Sequence, residues 1–307
     1  MKAVVLSFLM FAFSSCIFAL EPIMYLDENG DTQYVENYKF LTGEETTLSR
    51  GWYVVKGDIE LKTPNWTEIE VRGNVHLIMM DNSVCKIKGS GGFDGMESGS
   101  TMSIYTQSHG ENEGKMYFDV EDLFCFYMWE MKIFGGSFFL DGCKDQCAGI
   151  YANEIVLKNC TINIDACNAF WATTLTTDGV DMTIKTREKA FSINEWVVKN
   201  TTGTSTINIT CRDKNRIETA VELPEGMVMT IGEETYVGTI PAEVIQESME
   251  MSVGAGSGNM TSVECLPQVE NALLSRDAWF TLDGVRLSGK PTDKGMYVHN
   301  GKKIIVK

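Results

Sequence analysis

One stretch of sequence limits the fold more than any other. Asn153-Glu154-Ile155-Val156-Leu157-Lys158-Asn159 returns 41 residues later as Asn194-Glu195-Trp196-Val197-Val198-Lys199-Asn200. Each copy leads to Thr-Ile-Asn-Ile, at 161–164 and again at 206–209. Asp181-Met182-Thr183-Ile184-Lys185 lies between them as another alternating strand, and 131–140 aligns 22 residues ahead of the first copy. A unit of roughly twenty residues therefore recurs, within the period range of solenoids. One such unit cannot bury its apolar edge alone, but a stack of them makes a continuous core. The pattern predicts an all-β chain built as a parallel β-helix, with a β-sandwich as the competing architecture.

The rest of the chain agrees. Ile59/Leu61, Ile69/Val71, Val75/Leu77, Cys85/Ile87 and Met102/Ile104 each put two apolar side chains on one strand face. With 28 Gly and only 6 Pro, glycine does most of the punctuation. Asn29-Gly30 between β-prone flanks predicts a hairpin with a type I′ turn. Asp27, Asn29 and Asp31 imitate a calcium loop, but Thr32 stands where its Gly belongs and Tyr38 where its Glu belongs. Within 212–274, 220–227 and 236–240 read as strands, Ala242 to Met251 as a short helix, and 254–259 as a loop or linker.

The first residues read as an export leader. Lys2 precedes an apolar run from Ala3 to Phe13, and Ile17-Phe18-Ala19 offers a cleavage site, giving a signal peptide over 1–19. Lipid anchoring at Cys16 is the rival reading. The run is too short to cross a bilayer, and no other segment is long enough. Losing Lys2 takes the formal charge from −16 to −17. That acid excess argues against nucleic acid as a partner. Eight cysteines remain after the leader, several in apolar contexts that favour buried thiols over disulfides. Cys143 and Cys147 lack the companions a zinc site needs.

The opening turns, Gly51-Trp52-Tyr53-Val54-Val55-Lys56-Gly57-Asp58-Ile59 and then 69–78, resemble those of a bacterial secreted β-helix family described as carbohydrate-binding-domain-like. Segments 102–108, 133–137 and 148–150 continue the likeness, which spans about residues 25–210. It implies a right-handed, pectate-lyase-like parallel β-helix that contacts carbohydrate. The segment 278–307 resembles the C-terminal sorting tail of Bacteroidetes proteins exported by type IX secretion, with strands at 297–298 and 304–306 around Asn300-Gly301. The implied organisation is a signal peptide (1–19), a β-helix (20–211), a β segment and linker (212–274) and a sorting-like hairpin (275–307).

No catalytic set emerges. A β-helix lyase needs acids holding calcium beside a basic proton acceptor. Asp141, Asp145 and Asp165 are the weak calcium candidates, but Asp at such turns ordinarily caps the backbone. The three histidines, His76, His109 and His299, have no nucleophile partner in sequence. Trp171, placed in a loop, Tyr151 and Trp129 are the candidate carbohydrate contacts, because aromatic faces stack on sugar rings. Trp196 aligns with Ile155 and is expected in the core. The Asn-X-Ser/Thr triplets at Asn65, Asn159, Asn200, Asn208 and Asn259 read as products of Thr-rich strands. The expected function is a non-catalytic exported or cell-surface protein that binds carbohydrate or another extracellular surface. The alternatives are a calcium-dependent polysaccharide lyase and a structural or adhesive module.

Overall fold

The computed structural model describes residues 21–97, 99–142 and 148–256, and further on 279–281, 286–287, 291, 295–299 and 302–306. Residues 1–20 with Cys16, Asp145, Cys143, Cys147 and part of the sorting-like tail lie outside the described residues. The structure is 60% strand and 2% helix.

The chain opens with an antiparallel hairpin, β1 (Ile23–Leu26) and β2 (Thr32–Val35). Its turn differs from the expected type I′. Only Gly30 takes positive φ (83°), while Asp27 organises the loop by accepting from the backbone N–H groups of Asn29 and Asp31. A longer loop pinned by one carboxylate removes the need for left-handed backbone at Asn29.

The strands then alternate between two sheets. β3 (Tyr38–Phe40) and β4 (Thr47–Val55) begin the first sheet, and β5 (Asp58–Thr63) begins the second. The first continues with β6 (Ile69–Met79), the second with β7 (Val84–Gly89). β8 (Phe93–Asp94) and β9 (Thr101–Thr106) together form the next strand of the first sheet. β10 (Lys115–Val120), β12 (Ser137–Gly142), β14 (Thr161–Ala166), β16 (Asp181–Thr186) and β18 (Thr206–Thr210) extend the second. β11 (Phe126–Phe134), β13 (Ala148–Lys158), β15 (Asn168–Asp178) and β17 (Phe191–Lys199) extend the first. These pairings are parallel, and the chain winds through about seven turns of a β-solenoid.

Each long strand of the first sheet bends, and the side-chain pattern records the bend. In β11, Phe126 and Met128 point inward, then Met131 and Ile133 do. Two successive residues, Trp129 and Glu130, therefore face out. Strict alternation would put one of them in the core, so the change of phase marks a corner. The same step occurs at Asn153/Glu154, Thr173/Thr174 and Asn194/Glu195. Inward residues stack in columns, of which Met131, Ile155, Leu175 and Trp196 form one. Trp196 is buried, as its alignment with Ile155 implies, and its Nε1 donates to Thr177 Oγ1 at 3.1 Å.

The repeat itself needs one correction. Met131 pairs with Ile155 and Phe138 with Ile162, two residues past the 22-residue alignment. A shift of two keeps every side chain on its own face. Glycine is required where turns run tight. A Cβ on Gly89 (φ 133°) would lie 2.2 Å from the Thr63 carbonyl oxygen. Cys85, Cys125, Cys160, Cys167 and Cys211 are all buried. Burial pushes the Cys85 thiol up to about 12, so it packs as a small hydrophobe.

Past β18 the parallel stack stops. β19 (Val221–Glu222) pairs with β22 (Thr239–Ile240). β20 (Met227–Ile231), β21 (Glu234–Tyr236) and β23 (Glu250–Ala255) join the second sheet antiparallel, with β23 laid against β18. The helix α1 (Ala242–Gln246) buries Ala242 and Ile245. It is shorter than expected because Met251 and Val253 belong to β23, where they are buried. Gly254 and Ala255 also lie in β23 rather than in a linker.

The chain divides into two compact units, residues 1–263 and 264–307. In the second, β24 (Trp279–Thr281), β25 (Arg286–Leu287), β26 (Gly295–His299) and β27 (Lys302–Val306) form an antiparallel sheet ordered β25-β24-β26-β27. Among the described residues no helix is long and apolar enough to cross a membrane.

Candidate functional site

Parallel in-register stacking lines up outward residues as well as inward ones. On the first sheet one outward row pairs Glu70 with Asp94, Asp94 with Tyr127, Tyr127 with Tyr151 and Tyr151 with Trp171. It continues from Trp171 to Ser192 and from Ser192 to Arg216. Acids occupy one end, a guanidinium the other, and aromatic rings the middle.

The rings touch. Tyr127 and Tyr151 have centroids 5.1 Å apart at 70°, and Tyr151 and Trp171 5.3 Å apart at 36°. Phe124 stacks on Tyr127 at 4.9 Å and 15°. Trp171 is 44% exposed, enough to leave much of its indole in water. It lies in β15 and not in a loop, because the Thr-rich run after it is strand-forming. Trp129, 48% exposed, stands at the corner position that Asn153, Thr173 and Asn194 take in later turns. The structure thus joins two of the three expected aromatic contacts directly and puts the third at the adjoining corner.

Beside Trp171 the surface opens into a crevice of about 130 Å³, lined by Tyr151, Asn153, Thr173, Ser192, Asn194 and Arg216 among others. Arg216 comes from the segment that caps the last turn: Ile193 N–H donates to its carbonyl oxygen, and its own N–H donates to the Phe191 carbonyl, both at 2.8 Å. Its guanidinium donates to Glu218 Oε1 at 3.0 Å.

At the acidic end, Glu68 is pushed up to about 7 by burial, with the Asp94 charge adding to the shift. Asp94 is itself raised, chiefly by burial. Glu68 Oε1 is buried with no hydrogen-bond partner among the described residues. Gly91 makes room for it, since a Cβ there would lie 2.6 Å from Glu68 Cγ. A carboxyl held near 7 keeps a proton available around neutrality.

The calcium candidates lie on the second sheet. Asp141 pairs with Asp119 on one side and Asp165 on the other. Lys88 and Lys185 flank this exposed row. Among the described residues no group of three His, Cys, Asp or Glu side chains could hold a metal ion. Asp178, at the end of β15 in the first sheet, is buried and caps a turn by accepting from the N–H groups of Thr201 and Thr202.

Sequence reasoning missed Phe124, Ser192, Arg216, Glu68 and Asp94. The register of successive turns is the signal that would have gathered them. Compared with protein families, curated proteins and solved structures, the chain matches none.

Proposed function

We propose that this is a non-catalytic exported or cell-surface β-helix protein that binds carbohydrate through the outward row of Tyr127, Tyr151 and Trp171. The observation that carries this reading is that row of touching rings ending in an exposed indole beside a polar crevice. Aromatic faces bind the apolar faces of sugar rings, and neighbouring polar groups fix orientation. The apolar leader and the type IX-like tail support delivery outside the cell, through the corresponding export machinery. A glycan array tests the binding. The full chain should label at least one glycan class, and Trp171→Ala should weaken the signal about tenfold; an array blank at high protein concentration sinks the proposal.

A polysaccharide-active enzyme is the second reading, favoured by Glu68 alone, a proton-holding carboxyl beside Asp94 near the acidic end of the row. Release of new reducing ends from polysaccharide, lost in Glu68→Gln, would establish it.

A further inference from the structure

We infer that the crevice beside Trp171 is a socket for one ring of an uncharged glycan, and that Ser192 sets its shape; this rests on the carbohydrate reading above. The aromatic column stops where it does because the turn after Trp171 places Ser192 in register. Among the described residues, the only ring that contacts Trp171 is Tyr151. The face of the indole toward Ser192 is therefore left uncovered, whereas Tyr151 has rings on both sides. A continuous aromatic ladder would fill that space. A serine leaves it open over a small hydroxyl.

The groups around the opening are those that read sugar hydroxyls. Among the described residues the side chains of Asn153, Thr173, Ser192 and Asn194 make no hydrogen bond to protein, and they line the same crevice. Two carboxamides supply both donors and acceptors, and two hydroxyls supply either. The corner explains their presence. The position that holds Trp129 in one turn holds Asn153, Thr173 and Asn194 in the next three, so the crevice has one aromatic wall and one amide wall.

The charges around the crevice select against anionic sugars. Arg216 is the one cation lining the crevice, and Glu218 already accepts from it. The next outward row carries Glu154 and Glu195, which form no ion pair among the described residues. A uronate would meet these carboxylates and the acid excess of the whole chain, where like charge is costly. A neutral ring meets only hydrogen-bonding groups and an open indole.

The test is affinity electrophoresis of the full chain through gels holding a neutral glucan, mannan or xylan, a polygalacturonate, or a polyglucosamine with free amines. Wild type, Trp171→Ala, Ser192→Ala and Ser192→Tyr are compared at low and high salt, with melting curves confirming that each variant is folded. We expect retention by a neutral glycan that salt does not weaken. Trp171→Ala and Ser192→Tyr should each lose about tenfold in affinity, and Ser192→Ala, which removes one hydroxyl but keeps the socket open, should lose about threefold. Ser192→Tyr is the decisive variant because it lengthens the aromatic row while filling the socket. Retention equal to or stronger than wild type in that variant overturns the socket. Retention only by the polyuronate or the polyamine overturns the neutral-ligand assignment. Both results leave carbohydrate binding standing, whereas no retention in any gel removes that reading too.

Discussion

On the outside of the first sheet the chain covers one group of aromatic rings and leaves another open. Toward the N-terminus, Trp52 stacks on His76 at 4.4 Å, and Tyr105 lies beside both and beside Phe134. The hairpin β1–β2 lies over this group, with Tyr25 4.9 Å from Trp52 and 5.0 Å from Tyr105. Gln107 Nε2 donates to the Met24 carbonyl and Tyr38 Oη to the Glu21 carbonyl, fastening the cover. The row from Tyr127 to Trp171 has no such strap among the described residues, and polar side chains line its open end. Similar ring chemistry serves packing in one place and remains available to solvent in the other. What distinguishes them is whether the chain returns to shield the apolar faces.

Truncating one ring in each stack should give the largest contrast. Tyr105→Ala removes a ring that touches four others and should cost about 3 kcal/mol in urea unfolding. Tyr127→Ala, in the uncovered row, should cost about 1 kcal/mol. Equal costs would mean that the hairpin adds no real packing.

A smaller effect concerns Glu68. Its folded pKa, about 7, lies above its ordinary value of 4.5. The folded state therefore holds the proton more tightly, and stability falls as pH rises from about 4.5 to 7. Glu68→Gln should be more stable than wild type at pH 8 by roughly 1 kcal/mol, a figure discounted for solvent screening. The gain should vanish below pH 4.5, and thermal melts across that range would show it.

The smallest effect sharpens the contrast at the covered stack. Burial lowers the His76 pKa. The unfolded chain then takes up a proton more readily, so this contribution is intact above about pH 6.5 and is lost as pH falls through that value. Protease cleavage within the hairpin should speed up on acidification, and His76→Gln should flatten the response. A rate that does not change with pH would show that His76 has no hold on the cover.

The solenoid was legible because its core obeys a period. Ile155, Leu157, Ile162 and Ile164 are buried, and the repeat that carries them marks out successive turns. The corners were not legible. Two consecutive outward residues, such as Trp129 and Glu130, look like a lapse in alternation until the walls of the stack are seen. The candidate site was half legible for the same reason. Tyr151 and Trp171 stand out as large aromatics, but nothing local to Ser192 or Arg216 ties them to Trp171. Only register does, and the spacing of the repeat changes across the site, with Met131 paired to Ile155 but Ile155 to Leu175.

The reversal of direction at the end of the second sheet has a consequence for growth. Up to β18 every pairing in that sheet is parallel, and stacked parallel strands are a template that another chain could prolong. β23 then runs the opposite way, and the final edge strand is the three-residue β21. A second molecule approaching that edge finds a short strip of the wrong polarity in place of an open rung. At this edge of the second sheet, then, the repetition that builds the core is closed off by the chain itself.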